Sequence, residues 1–351
     1  MKSKTYRFLG ILLAVLMACT VFPVSAMAAG GSSLTGLLGL GQNQQTAGPE
    51  LKTESDGTVR LYRDGRASNE TGFVKAVWNG AEGWYYVENG KCDTSYVGAK
   101  YGTINGNSGN WYVEYGKADE TFNGTKTLHK VTWTVKDGKV TKTMIEVPKV
   151  DQLPKYPTGC EAASSTSLLN YYGVGTTVDE MIEAIPRQNI EKVDGKDYGP
   201  SIYEKFVGDP TMTYTSPHPG YGAFAPVVTK AMNSVLKKHN SQYRAYDITG
   251  TKPADLYKRV RSGQPVVIWA TYNMKTPTKK NAWYIKDASK PDGEYYFEYP
   301  RGTHVLVLCG VDDEEDTITI MDPYHAVYKT FDRQLFESKY ALLGQMAIEV
   351  K

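Results

Sequence analysis

Short stretches of aromatic and β-branched residues, separated by glycine-containing turns, mark residues 56–147. A stretch ends in an Asn-Gly, Tyr-Gly or Asp-Gly pair, and a second short stretch follows. Such pairs are typical of β-hairpins, because Gly, Asn and Asp tolerate the positive φ angles that tight hairpin turns require. The pattern predicts an all-β hairpin region over 56–147.

These hairpins form an internal repeat. The segment YYVENGKCD at 85–93 recurs 26 positions later as WYVEYGKAD at 111–119, and weaker copies lie at 61–67 and 133–140. Three or four such units are enough to stack into an array.

The aromatic rings of the repeat have two interpretations. Exposed rings such as Trp84, Trp111 and Tyr112 would offer flat faces to sugars or to a cationic headgroup. The same rings would also pack one hairpin on the next, since stacked repeats need aromatic contacts in any case. The sequence leaves both interpretations open.

After residue 147 the pattern changes, and a helix is predicted to begin at Cys160. Two prolines and Gly159 exclude a helix before the cysteine, and the run 162–172 is compatible with one that stops at Gly173. The helix N-terminus and a nearby imidazolium lower the pKa of a thiol and raise its thiolate fraction at neutral pH. Cys160 is therefore the candidate nucleophile.

A buried hairpin is predicted near the C-terminus. Residues 305–311 read as a buried strand, an acidic turn covers 312–316, and a second strand covers 317–321. Antiparallel pairing about this turn brings His304 and Asp322 to one end, where Asp322 can accept from one ring nitrogen and the other nitrogen faces the thiol. The alternative role of Asp322, which precedes Pro323, is that of an ordinary turn residue.

The remaining histidines are interpreted as structural or surface residues. His129 lies in the repeats and His239 in a polar run. His218 and His325 are each open to a role over or beside the cleft, but a surface position is favoured for both. The acidic turn lacks the glycine and the terminal glutamate of a calcium loop, so neither a metal nor a cofactor is expected.

The N-terminus carries the features of a signal peptide over residues 1–28. Three basic residues precede the apolar run 8–24, and Ala26-Met27-Ala28 supplies the small residues of a cleavage site. Cys19 in LMAC offers a lipoprotein alternative. Residues 29–55, rich in Gly, Ser, Gln and Thr, are predicted to be a flexible linker, and no later stretch has the ~18 apolar residues of a membrane span.

Charge and cysteine content narrow the function further. The 351-residue chain has 40 Lys and Arg against 38 Asp and Glu, and three of the basic residues lie in the predicted signal peptide. The remaining charges nearly balance, so the sequence gives no indication of a nucleic-acid partner. Cys92, Cys160 and Cys309 are an odd number in an exported protein and cannot form a complete disulfide framework. Cys92 and Cys309 are interpreted as small buried residues.

Several ordered motifs of the second region resemble one known family. They are LPKYPTGCEA, LLNYYG, FVGDP, GYGAFAP, SGQPVVIW, GTHVLVL and MDPY. In this order they are similar to secreted papain-like proteins related to the bacteriocin-processing (double-glycine) peptidases, the peptidase C39-like family. The resemblance covers about 150–350. It implies a papain-like α+β fold with Cys160, His304 and Asp322 at the catalytic positions and Gln152 as the candidate oxyanion donor.

The repeat region resembles the aromatic cell-wall-binding repeats of Gram-positive surface proteins, as in choline-binding modules. This resemblance implies a cell-wall glycan or teichoic acid as partner. Unlike the transporter-linked processing peptidases, the chain has no spanning segment and no phosphate-binding loop. The resemblance therefore does not imply their double-glycine leader as the substrate of this protein.

Together these observations predict a two-part α+β protein: the hairpin repeats at 56–147 and a papain-like cysteine peptidase domain at 148–351. We expect a Gram-positive protein that is secreted, either free or associated with the cell wall, and that hydrolyses peptide or isopeptide bonds of a peptide or protein substrate through a thioester. Two alternatives stay open. One is acyl transfer by the same triad, and the other is a catalytically idle domain in a surface-binding protein.

Overall fold

Twelve strands, joined by tight turns, cover residues 50–145 of the structure, a computed structural model that describes residues 48–216 and 219–351. The predicted signal peptide, most of the predicted linker and His218 lie outside the described residues. The strands are β1 (Glu50–Thr53), β2 (Val59–Arg63), β3 (Arg66–Ala67), β4 (Gly72–Trp78), β5 (Ala81–Val87), β6 (Lys91–Cys92), β7 (Val97–Ile104), β8 (Asn107–Glu114), β9 (Lys117–Ala118), β10 (Gly124–Leu128), β11 (Val131–Lys136) and β12 (Lys139–Ile145).

Tight turns connect the longer strands of this region into antiparallel pairs. β4 pairs with β5, β7 with β8 and β11 with β12. The connecting pairs Asn79-Gly80, Asn105-Gly106 and Asp137-Gly138 have positive φ at both residues, which is the geometry of a type I′ turn. These residue types reach that conformation at low cost, so the local sequence selects hairpins here.

Two aromatic rings of the repeat are packed inside the fold. Trp111 and Tyr112 are each 4% exposed, and Trp111 Nε1 donates to the Gly102 carbonyl at 3.1 Å. Packing is therefore the role of these two rings. Trp84 is half-buried, whereas Tyr101 and Tyr115 are exposed.

Residues 160–350 contain five helices and twelve strands. The helices are α1 (Cys160–Tyr171), α2 (Val178–Ala184), α3 (Ala225–Lys238), α4 (Pro253–Arg261) and α5 (Arg333–Leu342). The strands are β13 (Arg187–Gln188), β14 (Glu191–Val193), β15 (Lys196–Tyr198), β16 (Phe206–Val207), β17 (Ala245–Asp247), β18 (Val266–Thr271), β19 (Lys280–Lys286), β20 (Glu294–Pro300), β21 (Thr303–Asp312), β22 (Thr317–Asp322), β23 (Val327–Asp332) and β24 (Ala347–Val350). A 3₁₀ turn covers Tyr272–Met274.

Six of these strands pair antiparallel in the order β17-β24-β18-β21-β22-β23. β18 is buried at every position and β21 at all but its first residue. Their central residues, Val266–Ala270 and Val305–Val311, carry no charged side chain, as expected for strands whose two faces are both covered. The result is a mixed, sheet-rich protein with five helices among the described residues.

Helix α1 packs against β21. All residues from Cys160 to Leu169 are buried, and the small side chains after the cysteine allow a close approach to the sheet. The Ser164 hydroxyl donates to the Val305 carbonyl at 2.9 Å. Because Cys160 lies one turn before Ser164, this contact holds the thiol beside the start of β21.

The hairpin region is joined to the central sheet by strand β12. Lys142–Met144 pair with Gly310–Asp312 of β21, and Trp133 Nε1 donates to the Arg261 carbonyl at 2.8 Å. The division of the chain at residue 147 stays a prediction. In the described part of the chain, none of the helices is long and apolar enough to cross a bilayer.

Candidate active site

Cys160 is the first residue of α1, where the sequence predicted the helix to begin. Its side chain is 8% exposed. None of the described backbone carbonyls accepts the Cys160 N–H, as expected at the first position of a helix. This N–H is therefore free to donate to a ligand that reaches the thiol.

His304 and Asp322 meet at one end of the β21–β22 hairpin, as predicted. The two strands pair antiparallel about the acidic turn, with Val307 opposite Met321. His304 Nε2 lies 2.6 Å from Asp322 Oδ1, and both residues are buried. An ionised carboxylate only accepts, so Nε2 carries the proton and Nδ1 is left as the basic nitrogen of a neutral ring.

Asp322 is held as a carboxylate. Burial alone would raise the pKa of Asp322, but the hydrogen bond and charge of His304, a hydrogen bond from Lys329 and the Tyr324 N–H lower it to about 2. The Tyr324 N–H donates to Oδ1 at 2.9 Å and Lys329 Nζ to Oδ2 at 2.6 Å. The carboxylate can thus orient the imidazole over the whole neutral range.

Cys160 and His304 line one cavity of about 310 Å³. Its wall includes Gln152 and the three rings of Tyr214, Tyr272 and Tyr324. The edge of the Tyr272 ring faces His304, with 5.5 Å between ring centres. The cavity is large enough for part of a peptide to reach the thiol.

Gln152 lies in the wall of this cavity and is 2% exposed. Its Nε2 donates to the Pro157 carbonyl at 2.8 Å, and its Oε1 has no hydrogen-bond partner among the residues that the structure describes. One N–H of the amide is thus left over. Its donation to an oxyanion stays a prediction.

The pKa of the thiol departs from the sequence-based expectation. Burial first, and then the neighbouring carboxyl of Glu161, raise the pKa of Cys160 well above its ordinary value. This direction is opposite to the lowering expected from the helix N-terminus and an imidazolium, because burial disfavours the charged thiolate. Burial thus favours the thiol over the thiolate, so a base is needed to remove its proton.

Glu161 is a site residue that sequence reasoning missed. Its Oε1 accepts from the Ala223 N–H at 2.8 Å, and the Cys160 thiol points to its Oε2 at 3.4 Å. Burial raises the pKa of Glu161. Its position directly after the cysteine was visible in the sequence, but nothing there showed that the carboxyl turns inward.

The other cysteines are buried away from this cavity. Cys309 Sγ donates to the Thr319 carbonyl at 3.5 Å within the β21–β22 hairpin, which fits its predicted place in the core. Cys92 is 5% exposed, and its Sγ lies 3.9 Å from the Gly116 carbonyl oxygen. All three thiols of the described chain are free.

Three of the other histidines fall outside the cavity wall. His239 lies at the end of α3, and its Nε2 is 3.0 Å from a carboxylate oxygen of Glu180 in α2. His325 occupies a turn with a φ of 74°, and its N–H donates to Asp151. His129 lies in the turn between β10 and β11.

A cysteine at a helix N-terminus and a histidine oriented by a carboxylate are the groups that a papain-like thiol hydrolase requires. The described fold and this site therefore define a peptidase-like protein. The chain belongs to the Peptidase_C39 like family, whose model matches residues 144–348.

Three known proteins are similar to this chain. The uncharacterized protein YvpB of Bacillus subtilis (strain 168) is 24% identical over 198 residues, which are 56% of this chain and 71% of that protein. A candidate C39-like peptidase from Bacillus anthracis has a solved structure that is 26% identical, with a TM-score of 0.48, and the match covers 60% of this chain and 97% of that chain. Xylellain, a cysteine protease from Xylella fastidiosa, is 14% identical with a TM-score of 0.29, and the match covers 59% and 87%.

Proposed function

We propose that the protein is a secreted cysteine peptidase that hydrolyses peptide or isopeptide bonds at the bacterial cell envelope. Cys160 is the nucleophile, His304 is its base and Asp322 orients the histidine. The observation that carries this proposal is the hydrogen bond of 2.6 Å between His304 Nε2 and Asp322 Oδ1, beside a cavity that Cys160 shares.

The reaction begins with proton transfer from the thiol. Because burial favours the thiol form of Cys160, Nδ1 of His304 takes the proton as the sulfur attacks the substrate carbonyl. The Asp322 carboxylate stabilises the imidazolium that forms. The Cys160 N–H and the spare Gln152 N–H are the candidate donors to the oxyanion of the tetrahedral intermediate.

The second half returns the enzyme to its resting state. The imidazolium gives its proton to the leaving amine, the C–N bond breaks and a thioester remains on Cys160. Neutral His304 then takes a proton from water, and the hydroxide oxygen attacks the thioester carbonyl. The C–S bond breaks, the carboxylic acid leaves and the thiolate recovers the proton from His304.

Secretion and attachment to the envelope are supported by the sequence. The basic residues, the apolar run and Ala26-Met27-Ala28 are the parts of a signal peptide. A wall glycan or teichoic acid would bind the hairpin region through rings that remain accessible, of which Tyr101 and Tyr115 are 59% and 62% exposed.

Digestion of wall peptides and of an unfolded protein tests the proposed activity. Purified protein without residues 1–28 and its Cys160→Ser variant are incubated with each substrate, and products are identified by mass spectrometry. New termini that appear only with the wild-type protein support hydrolysis. Joined products in the presence of an added amine would instead show acyl transfer, and the absence of any Cys160-dependent product would contradict the proposal.

A further inference from the structure

Lys329 contacts the carboxylate of the candidate triad directly. It lies on β23, where Val327 pairs with Asp322, so that Lys329, two residues further on, projects from the same face of the hairpin. Its Nζ donates to Asp322 Oδ2 at 2.6 Å and to Asn273 Oδ1 at 2.8 Å. The side chain is 27% exposed.

The two oxygens of Asp322 have different partners. Oδ1 accepts from His304 and from the Tyr324 N–H, and Oδ2 accepts from Lys329. The negative charge that orients the imidazole is thus shared with an ammonium group. A shared carboxylate attracts the proton of the imidazole less strongly than an unshared one.

Lys329 also fixes one wall of the cavity. Asn273 and Met274 have φ angles of 50° and 52°, which non-glycine residues adopt only when neighbouring contacts hold them. The residue before them, Tyr272, lines the cavity, and the Lys329 ammonium lies 5.5 Å from the centre of its ring. The contact between Lys329 and Asn273 therefore ties this turn to the His304–Asp322 pair.

We propose that Lys329 is a positioning residue that sets the pH range in which His304 acts as a base by sharing the charge of Asp322, and that its contact with Asn273 separately anchors the cavity wall. This inference rests on the proposed function, in which His304 takes the proton of Cys160.

The direction of the effect follows from the charges around the pair. From α1 the groups that face it are Cys160 and Glu161, and from the loops they are Tyr272 and Tyr324; Arg301 stands further off, against the Tyr214 ring. Among the described residues, Lys329 is the cation in contact with the pair. Without it the full charge of Asp322 acts on His304, which then keeps its proton to higher pH and is unavailable as a base in acid.

The test is the rate of Cys160 alkylation by iodoacetamide as a function of pH, in the full chain without residues 1–28. The acid limb of the wild-type profile is expected to move to higher pH by about half to one unit in Lys329→Met. Lys329→Arg keeps the positive charge, so its acid limb should lie at the same pH as in the wild type. Asn273→Ala keeps the charge as well and leaves the limb in place, so this variant separates the charge from the anchor.

Three outcomes would overturn the inference. If Lys329→Met lowers the rate by the same factor at every pH, the residue is only structural. If Asn273→Ala moves the limb as far as Lys329→Met, the charge is not the cause. If wild-type labelling does not depend on His304 at all, the proposed function itself fails, and this inference with it. Lys329→Gln replaces Lys329→Met should the latter unfold, and thermal unfolding of each variant checks the fold.

Discussion

At the scale of single residues, the candidate site consists of ionisable side chains that are buried in the fold. Cys160, Glu161, His304 and Asp322 are all less than one tenth exposed. Burial raises the pKa of the thiol and of the Glu161 carboxyl, whereas hydrogen bonds overcome burial at Asp322. The site therefore holds a carboxylate that orients the base and a nucleophile whose thiol form burial favours.

Replacing Glu161 tests how this neighbour affects the thiol. Glu161→Gln keeps an oxygen that accepts from the Ala223 N–H but removes the charge next to the sulfur. We expect Cys160 to be alkylated severalfold to about tenfold faster at neutral pH, because the negative charge raises the pKa of the thiol. The rate is measured with iodoacetamide, and an unchanged rate would show that Glu161 does not affect the thiol.

Asp322 predicts a particular dependence of stability on pH. Its folded pKa of about 2 lies below the ordinary value of 3.8, so its contribution to stability is present above the ordinary pKa and is lost as the pH falls toward 2. This contribution is about 2 kcal/mol at neutral pH.

Urea unfolding of wild type and Asp322→Asn at neutral and at low pH measures it. The difference in unfolding free energy between the two proteins should shrink by about this amount in acid. A difference that stays constant with pH would mean that the carboxylate is not stabilised in the fold.

At the scale of elements, the sequence predicted the parts whose signals are local. The start of α1 at Cys160 followed from the prolines and glycine before it, and the β21–β22 hairpin followed from two strand patterns around an acidic turn. The contacts of Lys329 and Glu161 could not be predicted, since they depend on the register of β23 and on a loop 62 residues further along the chain. The burial of Trp111 likewise depends on which hairpins meet.

The turn glycines of the hairpin region offer a matched comparison. Gly65 and Gly90 have nearly the same φ, 74° and 73°, but a Cβ on Gly65 would meet open space, whereas one on Gly90 would lie 1.7 Å from the Ser68 carbonyl oxygen. We expect Gly65→Ala to cost about 1 kcal/mol through its backbone conformation alone. Gly90→Ala should cost about 3 kcal/mol or more, because the backbone must also move. Equal losses in urea unfolding would contradict the close approach.

At the scale of the whole molecule, the hairpin region and the peptidase-like region share hydrogen bonds that no sequence pattern indicated. β12 covers the end of β21 that β18 leaves unpaired, and Met144 lies opposite Gly310. The family match likewise begins at residue 144, inside β12. Strand pairing between distant segments has no local signal, which is why the sequence placed a boundary just after this strand.

Two fragments test the importance of this pairing. A fragment of residues 148–351 loses β12 and exposes the edge of β21, whereas a fragment of 124–351 keeps β10 to β12. We expect the shorter fragment to unfold at a lower temperature and to aggregate more readily, because an uncovered apolar strand edge pairs with other chains. Equal unfolding temperatures and solubility would support an independent domain that begins at 148.

The central claim is that His304 activates Cys160. The most direct measurement is the rate of iodoacetamide labelling of each cysteine at neutral pH, located by mass spectrometry, in wild type and His304→Ala. We expect Cys160 to react faster than Cys92 and Cys309. Its rate should fall at least about tenfold in His304→Ala, because a positioned general base usually contributes a factor of about 100 or more. A Cys160 rate that is no faster than that of Cys309, or that does not change without the imidazole, would contradict the account.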